Sequence, residues 1–158
     1  MRIKKLYLKD NRNCHLSGQS LFEVVLALGL IAMIIVTVVS LASVSIRNSS
    51  FSRYKSLATR YSQETLEWLR GERDSGWTTF VTHAQTPTFC FPSLSWALAK
   101  VGVCGADDKI SGTPLKREIG FTIIDLENIE TSVKVYWTDA QGYHESKSVT
   151  DFTNWRTN

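Results

Sequence analysis

From Leu21 to Ile46 the sequence reads LFEVVLALGLIAMIIVTVVSLASVSI, twenty-six residues with one charge, Glu23, and no proline. A hydrocarbon core ~30 Å thick is crossed by about 20 helical residues, so the run is long enough to span one. A lone segment in lipid must satisfy its own backbone hydrogen bonds, which predicts a helix despite the many β-branched residues. The alternative is a core helix of a soluble protein, but such helices are seldom apolar on every side for this length.

Beyond Ile46 the helical pattern continues in a different form. Between Arg47 and Asp74, apolar residues fall at Phe51, Tyr54, Leu57, Ala58, Tyr61, Leu66, Trp68 and Leu69. Spacings of three and four gather most of them on one stripe, while Arg53, Lys55, Arg60, Glu64, Glu67 and Arg70 fall largely on other faces. Gly71 and Gly76, with Asp74 and Ser75 between them, mark the end. One helix from about Ser20 to Arg73 would be roughly 80 Å long.

Residues 75–118 read as irregular, rich in Thr, Ser, Gly and Pro, with a short helical turn from Trp96 to Ala99. Three strands follow, at 119–125, 131–138 and 143–151. In the middle one Val133, Val135 and Trp137 alternate with Ser132, Lys134 and Tyr136, the period-two pattern of a half-buried strand. Asp139 to Gly142 is a turn by composition and makes a hairpin of the last two strands. The expected fold class is α+β, with the second half of the long helix (47–74) packed on a small antiparallel sheet within a head at 75–158. Trp77, Trp96, Trp137 and Trp155 are expected in the core of that head.

Charge is unevenly placed. The chain carries a formal +3, yet Arg2, Lys4, Lys5, Lys9 and Arg12, opposed by Asp10, give the first eighteen residues +4 and leave the rest at about −1. A basic stretch beside an apolar run fits the positive-inside bias of a membrane segment. It leaves no basic face on the remainder, so no nucleic-acid partner is expected.

The stretch Ser17-Gly18-Gln19-Ser20-Leu21-Phe22-Glu23 joins these two regions. A secretory signal peptide is cut after its hydrophobic region, at small residues. Here the small residue Gly18 stands before that region, so a cut there would leave the apolar segment as the amino terminus of the mature chain. A basic leader ending in glycine, a glutamate five places after the cut and then a continuous apolar helix resembles the prepilin leader of type IV pilins and type II secretion pseudopilins.

That resemblance implies a leader at 1–18, cleavage after Gly18 by a membrane prepilin peptidase, and N-methylation of the new terminal residue, Gln19, which stands where most members have phenylalanine. It implies a filament-core helix at 19–46 in which Glu23 meets the α-amine of a neighbouring subunit and sets the axial register. Alternatively, Glu23 is simply near enough to the helix end to reach the membrane interface. The helix-kinking proline common in major pilins is absent, its place taken by Ser40. The lean is therefore toward a minor pilin or I-type pseudopilin. Partners implied are the peptidase, other pilin or pseudopilin subunits, the membrane, and an inner-membrane assembly platform with its ATPase. The chain would begin as a single-pass membrane protein, N-terminus cytoplasmic and head extracytoplasmic, and end in the filament. The other reading is a signal-anchored membrane protein with an independent extracytoplasmic binding head.

Three cysteines are an odd count for a disulfide framework. If the chain is cut after Gly18, Cys14 leaves with the leader. Cys90 and Cys104 then remain, either as a disulfide closing a loop of roughly 15 residues or as two buried thiols. His83 and His144 show no ligand or triad spacing and read as structural histidines. Asp107 and Asp108 beside Lys109 read as a solvated turn, not a calcium loop, since no EF-hand spacing is present. No nucleophile elbow, metal cluster or phosphate loop appears in 75–158, so no catalysis, metal or cofactor is expected.

Overall fold

The computed structural model describes residues 20–155. Gly18 and Gln19, and with them the expected cleavage and methylation sites, lie outside those residues. The first element, α1, is one α-helix from Leu21 to Ser75. The chain divides within it into two compact units, residues up to Ser45 and residues from Ile46.

In the first unit α1 is apolar on all sides and its side chains are exposed. It contains an 18-residue window of mean hydropathy 3.0, so by length and composition it could cross a membrane. Two of its hydroxyls turn inward on the helix itself. Thr37 Oγ1 donates to the Ile34 carbonyl at 2.8 Å and Ser43 Oγ to the Val39 carbonyl at 2.9 Å. A hydroxyl satisfied on its own helix adds no unmet donor to an apolar surface.

The second unit is built on a five-stranded antiparallel sheet. Its strands are β1 (Thr88–Cys90), β2 (Lys100–Val101), β3 (Lys116–Ile123), β4 (Asn128–Asp139) and β5 (Gly142–Thr153), in the spatial order β2-β1-β3-β4-β5. β4 buries Ile129, Thr131, Val133, Val135 and Trp137 in strict alternation, as expected where one face of a sheet meets a core. β4 and β5 pair over their whole lengths, from Asn128 against Thr153 to Asp139 against Gly142. The tight turn between them has a local cause: Asp139 Oδ1 accepts the Gln141 N–H at 2.8 Å. Gly142 then takes φ 118°, where a Cβ would be strained.

The residues of α1 from Ile46 onward cover the inner face of this sheet. The expected stripe is there, but its centre line is Ala58, Ser62, Thr65 and Leu69, all fully buried. Tyr54, Leu57, Tyr61, Leu66 and Trp68 flank it, half-buried against the core. Thr65 also serves as a polar contact described below.

Three elements differ from the sequence expectation. Residues 77–84 form a helix, α2 (Trp77–Ala84), where irregular chain was expected. Its threonines, valine and aromatics are weak helix formers. Burial of Phe80 and Ala84 outweighs that weakness, with the Phe80 ring set edge-on to Phe121 and Phe152. β1 and β2, also within the stretch read as irregular, are three and two residues long, too short for a period-two signal. β1 exists because it lies between β2 and β3 and pairs with both. The expected turn at Trp96 is a 3-10 helix, Trp96–Leu98.

Of the four tryptophans expected in the core, Trp137 is buried and Trp77 and Trp96 are half-buried against the cluster. Trp155 is not in the core: it is 59% exposed, with its indole N–H donating to Asp74 Oδ1 at 3.1 Å. Cys90 and Cys104 form a disulfide, their Cα atoms 4.9 Å apart. It ties the end of β1 to the segment leading into β3.

Replacing both cysteines by serine should cost about 3 kcal/mol of unfolding free energy for a loop of this size. Denaturant unfolding of the full chain in detergent, followed by near-UV circular dichroism, measures it. A loss too small to resolve would mean that the bridge constrains little beyond what the sheet already fixes.

Candidate functional site

The sequence singles out the amino-terminal helix, and Glu23 is the candidate residue there that lies among the described ones. It occupies the first turn of α1, its N–H donating to the Ser20 carbonyl at 2.8 Å. Backbone N–H groups left unpaired at a helix start carry partial positive charge, so a carboxylate is favoured at this end. Around it, Leu21, Phe22, Val24, Val25 and Leu26 are all exposed. Seventeen large apolar side chains between Leu21 and Ile46 lie open in this way. At about 2 kcal/mol for each, leaving them in water would cost on the order of 30 kcal/mol, more than the ~5–15 kcal/mol that holds a domain folded. This surface requires a cover, whether lipid or protein.

The second unit holds two charged residues that the sequence reading did not single out. Arg117 and Glu118, adjacent on β3, are 3% and 5% exposed. Successive strand residues point to opposite faces, and each meets a separate set of partners. Arg117 points toward α1, donating from Nε to the Phe91 carbonyl at 3.0 Å and from Nη1 to Thr65 Oγ1 at 3.1 Å. Desolvation lowers its pKa to about 10, with Glu64 acting in the opposite sense, so the guanidinium stays charged near neutrality. Charged residues are almost never buried without partners. No spacing in the sequence signals this pair, because the Arg117 partners are a carbonyl and a helix hydroxyl distant along the chain.

Glu118 lies on the outer face. It accepts the Tyr136 hydroxyl at 2.6 Å and the Cys104 N–H at 2.9 Å, and pairs with Lys134 Nζ at 2.8 Å. Burial pushes its carboxyl up, but the bonds from Lys134, Tyr136 and Cys104 together hold it below the usual glutamate value. The same contact draws the Tyr136 phenol upward, after the larger effect of burial. Glu118 thus fastens the disulfide segment to β3 and β4.

The histidines stand apart from one another. His83 stacks face to face on Trp96, centroids 3.8 Å apart and planes within 3°. His144 Nε2 lies 2.9 Å from Asp139 Oδ1, with the rings of Phe51 and Trp137 around it. Its neighbours are a carboxylate and two aromatic rings, with no nucleophile among the contacts. The acidic turn has an occupant from its own chain: the Asp108 carboxylate accepts from Lys100 Nζ and from the Gly105 N–H at 2.9 Å. Among the described residues no three His, Cys, Asp or Glu come together in an arrangement able to hold a metal ion.

A carboxyl held below its unfolded pKa gives stability that is present above the unfolded value and lost as pH falls through the folded one. Glu118→Gln should therefore lower stability at neutral pH by about 2 kcal/mol, the cost of weakening a buried charge-assisted network. It should also flatten the loss of stability between about pH 5 and pH 3. Acid titration monitored by near-UV circular dichroism tests both, and an unchanged acid limb would show that the carboxylate is not the group being titrated.

Comparison of the chain with protein-family models, with curated proteins and with solved structures gives no match in any of the three.

Proposed function

We propose that this chain is a structural subunit, a minor pilin or pseudopilin, of a type IV pilus or type II secretion-like filament. The observation that carries the reading is α1 from Leu21 to Ile46, apolar and exposed on every side, with one carboxylate, Glu23, in its first turn. The position of Gly18, directly before this segment, supports it. In this reading the basic leader holds the amino terminus in the cytoplasm. A prepilin peptidase cuts after Gly18, and Gln19 becomes the methylated terminus. The apolar helices, first stored in the membrane, then pack against those of other subunits.

Glu23 supplies register. A carboxylate inside an apolar bundle is costly without a partner, and the α-amine at Gln19 of a neighbour is a partner of opposite charge. Energy for packing comes from the apolar surface and specificity from that pair. The assembly platform and its ATPase supply the work of extrusion. A disulfide between Cys90 and Cys104 suits a head that faces an oxidising compartment.

Mass spectrometry of the mature chain decides first: the reading expects a terminus at Gln19, and an intact Met1 or a cut beyond Ile46 would refute it. Gly18→Glu should block cleavage. Glu23→Ala should be cleaved normally yet be missing from the sheared filament fraction. Should Glu23→Ala be incorporated like the parent chain, the carboxylate has no part in assembly.

A further inference from the structure

β5 is an edge strand: the sheet order ends on it, with β4 as its neighbour on one side alone. Its 12 residues, GYHESKSVTDFT, hold an unbroken register against β4 from Gly142 to Thr153, without a bulge or a proline. Long regular edges accept further strands, and bulges and prolines are the usual means of blunting them. The tight turn at Ala140 and Gln141 fixes which backbone groups face outward. Asp139 and Gly142, which close it, form a hydrogen-bonded pair, and bonded pairs then alternate along the ladder. Trp137 with His144 and Val135 with Ser146 continue that series. The N–H and C=O groups of Tyr143, Glu145, Lys147, Val149 and Asp151 therefore point away from β4. Lys55 Nζ takes the Glu145 carbonyl at 2.7 Å. From Lys147 to Asp151 the outward groups form no other hydrogen bond among the described residues.

The side chains of this edge carry a second signal. Lys147, Val149 and Asp151 lie on the outer face and are exposed. Across the ladder Lys147 stands directly opposite Lys134, and Asp151 directly opposite Glu130. Like charges set directly opposite one another destabilise a sheet. Glu118 answers Lys134. Neither Lys147 nor Asp151 forms an ion pair among the described residues. The two stand symmetrically on either side of Val149.

We propose that β5 pairs antiparallel with β5 of a second copy, about a two-fold axis through Val149, so that the two sheets join into one. Lys147 of each copy then meets Asp151 of the other, Val149 meets Val149, and on the inner face Ser148 meets Thr150. Opposite charges, β-branched pairs and facing hydroxyls are all favourable across strands. Shifts of the partner must be even to keep the bonding groups in phase. A shift of two residues sets Glu145 against Asp151 in one direction and Val149 against Asp151 in the other. A shift of four sets Lys147 against itself or Asp151 against itself. Among these registers opposite charges face each other in the first alone. The contact is isologous and closes at a pair. α1 runs alongside β5 in the same direction, since Lys55 reaches Glu145 and Arg73 lies over the Phe152 ring. The two-fold axis sets these stretches of helix antiparallel, so the paired copies share no common polarity. The contact is thus separate from any packing of the apolar helices and does not rest on the assembly reading above.

The test uses the full chain in detergent, with Cys14→Ser so that the remaining native cysteines are those in the disulfide. Facing residues of a bonded pair have Cα atoms about 5.5 Å apart, within reach of a disulfide. Under a mild oxidant, Val149→Cys should form a disulfide dimer by itself. Lys147→Cys should not, yet it should join a differently tagged Asp151→Cys when the two are mixed. With Val149→Cys as the reporter, Lys147→Asp or Asp151→Lys alone should cut the dimer about tenfold, because two facing pairs turn repulsive. Each reversal also relieves a like-charge opposition with β4, so the head should unfold no earlier than that of the parent chain. That measurement, by near-UV circular dichroism, separates lost pairing from lost folding. Both reversals in one chain should restore the dimer. Absence of the Val149→Cys dimer overturns the proposal, as does a dimer indifferent to the reversals or a Lys147→Cys product as abundant as the mixed one. Val149→Cys joined in the cell membrane to a different protein, in place of itself, overturns the choice of partner.

Discussion

A helix that is apolar all round has no stable place in water, and α1 between Leu21 and Ile46 is such a helix. What surrounds it follows from that constraint. The Thr37 and Ser43 hydroxyls bond back to their own helix. Its one carboxylate sits at the end where the helix field favours a negative charge. A cover is required, and lipid or the apolar helices of other chains would each meet the thermodynamic demand.

From Ile46 onward the same helix answers a different demand, since it has a sheet to lie on. Only one stripe need be apolar, and the centre of that stripe is small. Thr65, on that stripe, receives the Arg117 guanidinium. β3 then works in both directions. Arg117 binds the helix side, while Glu118 binds the Cys104 N–H on the outer side. Cys104 in turn is joined to Cys90 on β1. Residues 91–103, with little regular structure of their own, are thereby held at both ends to the most regular part of the molecule.

How legible this was in the sequence follows from the range of each interaction. The apolar run, the hairpin of β4 and β5 and the turn at Asp139 are local patterns, and their periodicity is printed in consecutive residues. The pair Cys90 and Cys104 could be read as a disulfide or as two thiols, and the fold brings them together. α2 was missed because Thr78, Thr79, Val81 and Thr82 carry no helical preference; the core positions of Phe80 and Ala84 hold it. β1 was missed because three residues cannot display alternation. Arg117 was missed for a deeper reason. A charged residue in a strand reads as solvent-facing, and only the tertiary fold shows that a helix hydroxyl and a distant carbonyl await it. Trp155 erred the other way: hydrophobicity argued for the core, yet its indole N–H found Asp74 at the surface.

Charge along α1 beyond Ile46 falls in two blocks, and the helix itself balances them where they meet. A solvated helix face gains a few tenths of a kcal/mol from each opposite pair set three or four residues apart, so mixed signs are favoured. Here the cations run from Arg47 to Arg60 without an acid between them, and Arg53 and Arg60 share one face. Such an arrangement is mildly self-repelling in an isolated chain. It is balanced where the two blocks meet, since Glu64 stands four residues after Arg60, the spacing at which a helix brings opposite charges together, and Glu67 pairs with Arg70.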